Sequence, residues 1–294
     1  MAENPPYGSY HSHAVKSPQR NGGPVFEESQ RFGDARAVVV AIGGVDPSGG
    51  AGLVRDFLTA RTLGAVMRLV PSAWTDQASS GVAAVEARGA GALERAVRGA
   101  VGRGAGGQAN GAAAVKVGML PDARAVAEVL TGLADFPGPV VVDPVLAASS
   151  GGALFQGSPD EWLRLAVRAT LLTPNALEAT ALTGIPVRDG DDAVRAGQAL
   201  LARGARAVLV KGGHLADAAS AIDVLVTRDC EPRRFEAPRL GGRSVRGTGC
   251  ALATAVAVAL ARGAALVDAI AFGKSWLHGA WAGAVIVGDE LHLS

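Results

Sequence analysis

The chain of 294 residues is poor in charge, aromatics and cysteine. Its 28 Lys and Arg against 27 Asp and Glu leave a net charge of +1, which excludes the basic surface that nucleic acid or an acidic membrane attracts. Two cysteines are too few for a disulfide framework, and no charged-then-apolar segment opens the chain, so we expect a cytoplasmic protein. The longest apolar stretch, around 251–261, is well short of the ~20 residues of a membrane span. We therefore expect a small-molecule partner, with no nucleic acid and no membrane.

What the sequence does have is apolar residues, 49% of the chain, in an ordered pattern. From Ala37 onward, short β-branched runs alternate with Ala/Leu/Arg-rich stretches of helical period, which predicts an α/β fold with a mainly parallel sheet and helices on both faces. Residues 1–36 lack apolar periodicity, so we expect a flexible N-terminal tail before one domain at 37–294. The predicted strands are 38–42, 66–71, 113–117, 139–142, 207–210 and 222–226. The predicted helices are 52–63, 92–101, 122–133, 159–169, 176–182, 191–203, 248–261 and 266–284.

A glycine-rich loop, 43–52, joins the first predicted strand to the first helix. Its glycines permit positive φ and close approach of the backbone to a ligand, and Asp46 is suited to a hydroxyl or a ring nitrogen. The loop has neither the Gly-x-Gly-x-x-Gly spacing of a dinucleotide site nor the lysine of a P-loop. It is either a ligand-binding loop or a structural turn.

A second cluster of small residues, Gly247-Thr248-Gly249-Cys250, begins the apolar helix at 248–261. The first N–H groups of a helix are unpaired and carry a positive partial charge, so this segment can bind an anion such as phosphate. The alternative is an ordinary helix start in which Thr248 is the cap and Cys250 is inert.

Polar residues also follow two later predicted strands and begin one of the predicted helices. Asp143 and Lys211 come at the carboxyl ends of predicted strands, where open α/β sheets bind their ligands. Asn175 and Glu178 lie one helical turn apart and are able to hold a hydrated Mg²⁺. Each of these has a plain alternative as a turn or cap residue, and His214, beside the lysine, is as readily structural.

Taken in order, these segments resemble the ribokinase-like superfamily and, within it, the hydroxymethylpyrimidine phosphate kinase family. The resemblance spans about 37–280 and rests on six segments: 44–52, 115–120, 142–145, 173–178, 210–214 and 247–250. Their order identifies the fold more sharply than it identifies the substrate.

The resemblance implies an enzyme of thiamine biosynthesis that uses ATP and Mg²⁺ to phosphorylate hydroxymethylpyrimidine and then its monophosphate. Related kinases often pair, so we expect a homodimer. By the resemblance, the pyrimidine is surrounded by Gly44, Asp46, Ala51, Gln77, Met119 and Val145. It also implies that Asp143 and Glu178 bind magnesium. The residues it implies for the ATP phosphates are Asp143, Glu178, Asn175, Lys211, Gly213 and Thr248. It assigns catalysis to Lys211 and to an anion hole formed by Gly247, Gly249 and Cys250.

Cys250 stands where sugar-phosphorylating relatives carry an aspartate base. An alcohol acceptor profits from such a base, but a phosphate monoester has a second pKa of roughly 6 and is already ionised near neutral pH. A carboxylate would repel it. We therefore expect a neutral thiol at Cys250 to suit a phosphorylated acceptor, whereas a thiolate favoured by the helix terminus would serve a hydroxymethyl group.

The chain departs from the family pattern at Leu58, Arg246 and Ala251, where Lys, His and Thr are common, and at residues flanking Gln77. Arg246 either adds a phosphate contact or is a solvated surface residue. Two other functions therefore stay open: a pyridoxal or pyridoxine kinase, and a catalytically silent sensor of a pyrimidine phosphate.

Overall fold

The computed structural model describes residues 37–78, 81–102, 111–148, 151–213, 220–239, 245–287 and 290–293; the predicted tail at 1–36 and His214 lie outside them. The strands are β1 (Val38–Val45), β2 (Val66–Ala78), β3 (Gly81–Ala87), β4 (Ala114–Val117), β5 (Val140–Val142), β6 (Leu171–Leu172), β7 (Ala207–Val210), β8 (Ser220–Thr227), β9 (Arg233–Pro238), β10 (Val285–Val287) and β11 (Glu290–His292). The helices are α1 (Gly52–Thr62), α2 (Ala92–Val101), α3 (Ala123–Gly132), α4 (Glu161–Arg168), α5 (Ala176–Thr183), α6 (Gly190–Ala202), α7 (Thr248–Ala261) and α8 (Leu266–Ala282). All the predicted helices and strands are confirmed.

Within the described residues, nine strands form one sheet in the order β3-β2-β1-β4-β5-β6-β7-β8-β9. The pairs from β2 through β1, β4, β5 and β6 to β7 are parallel, whereas β3, β8 and β9 join antiparallel at the two sides. The mainly parallel sheet is therefore confirmed. Because the central strands run the same way, their carboxyl ends meet at one edge, and the loops that follow them share that edge.

The alternation of side chains along each strand divides the core in two. Val40 and Ile42 of β1 face a cluster with α2 to α6, while Val39 faces a second cluster with α1, α7 and α8. The prediction of helices on both faces is thus confirmed. Helix α7 is buried throughout 251–259, as its apolar sequence indicates. None of the helices in the described part of the chain has the length and apolar content needed to cross a bilayer.

Five strands were not predicted: β3, β6, β9, β10 and β11. Strand β3 is built of small residues and is largely exposed, β6 has two residues, and β9 carries charged side chains at the side of the sheet. Strand β2 was predicted to end at Pro71 but continues to Ala78, because its second half pairs with β3. The two-stranded sheet of β10 and β11 was also missed.

Candidate active site

The loops at the carboxyl edge of the sheet bring together most of the predicted site residues. Met119 follows β4, Asp143 follows β5, and Lys211 follows β7, where it forms a parallel bridge with Asn175. The backbone N–H of Lys211 donates to the carbonyl of Pro174 at 2.8 Å, which joins the loops after β6 and β7. The exposed Gly213 continues the same loop.

A lysine and a carboxylate form the centre of this edge. Lys211 Nζ lies 2.5 Å from Asp143 Oδ1, and the hydroxyl of Thr173 donates to the same oxygen at 3.2 Å. Burial is the largest single effect and lowers the pKa of Lys211, but the charges of Asp143 and Glu178 and the hydrogen bond to Asp143 together outweigh it, so the pKa is raised. Lys211 is therefore a fixed cation at the end of β7.

Asn175 and Glu178 form a capping box at the start of α5. The Asn175 N–H donates to Glu178 Oε2 at 2.7 Å, and the Glu178 N–H donates to Asn175 Oδ1 at 2.9 Å, so the cap interpretation is confirmed. Burial raises the pKa of Glu178 to about 7, with Lys211 opposing the shift and Asp143 adding to it. Glu178 thus caps a helix and also faces the lysine and the carboxylate; its role as a magnesium ligand stays a prediction.

Helix α7 begins without a side-chain cap. The N-cap is Gly247, with φ +73° and no side-chain cap hydrogen bond, and Thr248 is already the first helical residue. The alternative with Thr248 as cap is therefore wrong. A Cβ on Gly247 would lie 2.3 Å from the carbonyl oxygen of Gly50, so only glycine permits the contact between this turn and the first glycine-rich loop.

The first turn of α7 faces the lysine. A Cβ on Gly249 would lie 3.1 Å from Lys211 Nζ and 3.8 Å from Asp143 Oδ2. Because Gly249 has no side chain, the start of the helix and the ammonium group lie next to each other, and this junction is the recess at Gly249. Helix N-termini and ammonium groups both bind phosphate oxygens. The groups present at this junction therefore fit a phosphate group, such as one of a bound nucleotide.

Cys250 lies beside this recess, partly exposed. Burial raises the pKa of its thiol to about 11, although the charge of Lys116 and a hydrogen bond from the Gly52 N–H act in the opposite direction. The thiol is therefore neutral near neutral pH, and its suitability for a phosphorylated acceptor stays a prediction. The same contact with Gly52 places the start of α1 against the start of α7.

The carboxylate of Asp46 holds the two glycine-rich segments together. Its Oδ1 accepts from the Ser48 N–H at 3.0 Å and the Ser48 hydroxyl at 2.7 Å; its Oδ2 accepts from the Ala51 N–H at 3.0 Å and from Arg246 Nη2 at 3.2 Å. Arg246 is only 11% exposed in its side chain, so the interpretation as a solvated surface residue is wrong. Both oxygens of Asp46 are engaged within the protein, and its contact with a substrate stays a prediction.

The residues predicted to surround the pyrimidine lie on β1, on β2 and in the loops that follow β1, β4 and β5. A Cβ on Gly44 would lie 2.9 Å from Met119 Sδ, and the Ser72 hydroxyl donates to the carbonyl of Met119 at 2.7 Å. Met119 and Val145 belong to a small apolar cluster separate from the two main cores. Gln77 lies on β2 opposite Val82, and its side chain falls outside the described atoms.

The departures from the family pattern differ in position. Leu58 is 42% exposed on α1, and Ala251 is fully buried in α7, one residue beyond Cys250. Arg246 alone of the three makes a contact that joins both glycine-rich segments.

Sequence reasoning missed a buried charge cluster behind the site. Lys116 Nζ lies 2.8 Å from Asp56 Oδ2, and the Thr254 hydroxyl donates to Asp56 Oδ1 at 2.8 Å, with all three side chains buried. Burial is the largest single effect and lowers the pKa of Lys116, but the charge and hydrogen bond of Asp56, together with the nearby Cys250 and Asp143, outweigh it and raise the pKa. The cluster ties β4, α1 and α7 together one turn below the Gly52–Cys250 contact. Its only signal in the sequence is a lysine within the otherwise apolar strand β4.

The mainly parallel sheet with helices on both faces places the chain among the α/β kinases of the ribokinase-like class. The chain belongs to the phosphomethylpyrimidine kinase family, whose family model matches residues 46–293. A hydroxymethylpyrimidine/phosphomethylpyrimidine kinase of Streptomyces coelicolor is 40% identical over 245 residues, covering 83% of this chain and 88% of the relative. The enzyme of the same name from Salmonella typhimurium is 37% identical over 258 residues, 84% of this chain and 91% of the relative.

Solved structures agree on the fold. The crystal structure of phosphomethylpyrimidine kinase from Clostridium difficile superposes with a TM-score of 0.70 at 29% identity, covering 83% of this chain and 99% of that one. An ADP complex of Bacillus subtilis pyridoxal kinase superposes with a TM-score of 0.76 at 24% identity, covering 88% of this chain and 98% of that one. At that lower identity the likeness to pyridoxal kinase is one of fold.

Proposed function

We propose that this protein transfers the γ-phosphoryl group of ATP to hydroxymethylpyrimidine and then to the resulting monophosphate, as an enzyme of thiamine biosynthesis. The observation that carries the proposal is the recess at Gly249, where a helix N-terminus lies opposite Lys211 and Asp143. The curated relatives at 35–40% identity supply the acceptor, because they are named for these two reactions.

The first turn of α7 and Lys211 stabilise the charge that spreads over the transferring group. Backbone N–H groups fixed at the start of a helix need no reorganisation during the reaction, and such preorganised donors are worth about 10²–10³-fold in rate each. Lys211 is held as a cation by Asp143, so it presents a permanent positive charge to the same group. The catalytic power of this arrangement lies in positioning and electrostatics.

Asp143 and Glu178 are the residues that would hold magnesium. Both are buried carboxylates beside Lys211, and oxygen donors are what Mg²⁺ prefers. Mg²⁺, when bound, would neutralise phosphate charge. Within the described residues, no group of three or more His, Cys, Asp or Glu side chains is placed to hold a metal ion.

The neutral thiol of Cys250 favours the second phosphorylation over the first. With a pKa of about 11 it is a poor base at neutral pH, so an alcohol acceptor receives little help. A monophosphate acceptor is already ionised above roughly pH 6 and needs none. Turnover of the alcohol is therefore expected to rise with pH toward pH 9, whereas turnover of the monophosphate stays level above about pH 7.

The test is ADP release measured with hydroxymethylpyrimidine, its monophosphate and pyridoxal in turn. Both pyrimidines are expected to stimulate release, and pyridoxal much less. Lys211→Met is expected to abolish release with each acceptor. Stimulation by pyridoxal alone would assign the protein to its rival substrate, and no stimulation by any acceptor would restore the interpretation as a silent sensor.

The role of Cys250 is tested by Cys250→Asp, with Cys230→Asp as the matched control. Cys230 is exposed and distant in sequence from every loop of the site. The added carboxylate at position 250 is expected to repel the monophosphate and to lower its turnover more than that of the alcohol. Intact turnover of the monophosphate would show that repulsion plays no part.

A homodimer is a further part of the proposal, supported by the family resemblance. Light scattering on the purified chain measures it directly.

A further inference from the structure

A buried carboxylate–ammonium pair lies directly behind the loop that carries Lys211. Asp223 of β8 is 4% exposed and Lys274 of α8 is 9% exposed, and Lys274 Nζ lies 2.7 Å from Asp223 Oδ2. The other oxygen of Asp223 accepts from the backbone N–H of Gly212 at 2.9 Å. The ion pair therefore contacts the loop that carries Lys211 through Gly212, the residue next to Lys211.

The direction of the Asp223 side chain follows from the strand. Val224 belongs to the core cluster on one face of the sheet and Leu225 to the cluster on the other, so Asp223 shares the face of Leu225, where α7 and α8 pack. Its partner on that face is Lys274 of α8. The carboxylate thus connects a packed helix to the end of β7.

Two hydrogen bonds fix the backbone of the lysine loop from opposite sides. The Lys211 N–H donates to the carbonyl of Pro174 at 2.8 Å, and the next N–H, that of Gly212, donates to Asp223. The orientation of the peptide between them sets where the Lys211 side chain leaves the backbone. That side chain ends 2.5 Å from Asp143, at the recess of Gly249.

We propose that Asp223, held by Lys274, is a positioning residue that aims Lys211 at the nucleotide phosphates through the Gly212 N–H. A buried ion pair is about neutral for stability when compared with an apolar pair of similar size, so stability alone gives little reason for a charge here. Placement of a phosphate ligand gives one, because a displacement of about 1 Å at a catalytic group costs roughly 10²-fold in rate. The inference rests on the proposed function, in which Lys211 contacts ATP.

Two double variants separate positioning from charge. Asp223→Asn with Lys274→Met removes both charges and keeps an acceptor for the Gly212 N–H. Asp223→Leu with Lys274→Met removes the acceptor as well. The first is expected to keep the KM for ATP within threefold of wild type, and the second to raise it tenfold or more and to lower kcat, with the KM for the pyrimidine changed less than threefold.

The split between the two KM values is what a merely structural role would not produce. An unchanged KM for ATP in the folded leucine variant, or an equal rise in both KM values, would overturn the inference. Should the leucine variant not fold, Asp223→Ser with Lys274→Met shortens the side chain out of reach of Gly212 and carries the same expectation. Binding of a fluorescent ATP analogue is measured in parallel. If the wild-type protein turns over no acceptor, the proposed function is refuted. The affinities of the variants for the ATP analogue then still test the role of Asp223.

Discussion

Replacing Gly249 by alanine isolates the phosphate recess from the stability of the fold. Gly249 lies in the first turn of α7 without a positive φ, so alanine adopts its backbone conformation and gains up to about 1 kcal/mol in helix propensity. The added methyl, however, would lie 3.1 Å from Lys211 Nζ and 3.8 Å from Asp143 Oδ2. It occupies the space proposed for phosphate oxygens and pushes the lysine aside. Alanine keeps the backbone N–H, but the methyl group blocks the approach of a phosphate oxygen to it, and loss of the use of one preorganised donor costs about 10²–10³-fold, or roughly 2.7–4 kcal/mol of transition-state stabilisation.

We therefore expect Gly249→Ala to lower kcat/KM at least 100-fold, at the lower end of that range. Its melting temperature is expected to change little, because the gain in helix propensity offsets the displacement of Lys211 from Asp143. The control is Gly99→Ala, a helical glycine on α2 with nothing within 4 Å of its added Cβ, which has the same propensity gain and no site to fill. The assay is coupled ADP release, with thermal unfolding of both variants. The reasoning is refuted if Gly249→Ala keeps kcat/KM within threefold of the Gly99→Ala protein.

Three further expectations concern stability. Lys116→Met leaves Asp56 buried without its cation and is expected to lower the free energy of unfolding by about 3–5 kcal/mol. Adding Asp56→Asn is expected to restore part of this loss. A loss below about 1 kcal/mol on urea unfolding would contradict the stabilising role of the Lys116–Asp56 ion pair. Gly247→Ala is expected to destabilise more than Gly263→Ala, because both have positive φ but only the first meets a carbonyl oxygen at 2.3 Å; equal losses would remove the contact from the argument. Glu128 accepts hydrogen bonds from three N–H groups at the start of α2, and these outweigh desolvation and lower the pKa of its carboxyl group. Glu128→Gln is therefore expected to lose stability at neutral pH, and this loss is expected to vanish as the pH falls below roughly 4. A loss of stability that does not depend on pH would refute this.

The central sheet could be predicted from the sequence because its strands are continuous apolar runs. Buried parallel strands such as β1 and β7 leave no ambiguity about their position, and each is followed by the loop that carries a site residue. The strands that were missed, β3 and β9 among them, are held by pairing with a neighbour at the side of the sheet. Pairing between distant segments leaves little trace in composition.

The sequence predicts which site residues lie at the carboxyl edge of the sheet, but it does not predict which side chains pair with one another. That Asp143 and Lys211 share an edge follows from their place after parallel strands. That Asp46 pairs with Arg246 across 200 residues, or Lys274 with Asp223, depends on which helix packs on which face. A lysine inside the apolar strand β4 signals a buried partner, but nothing local names Asp56 as that partner.

A structure of the protein with a non-hydrolysable ATP analogue, Mg²⁺ and hydroxymethylpyrimidine tests the central claim most directly. The account predicts terminal phosphate oxygens within hydrogen-bond distance of the backbone N–H groups at Gly249 and Cys250 and of Lys211 Nζ, with the pyrimidine on the side of Met119. A triphosphate bound elsewhere on the molecule, with the recess at Gly249 filled by water, would contradict it.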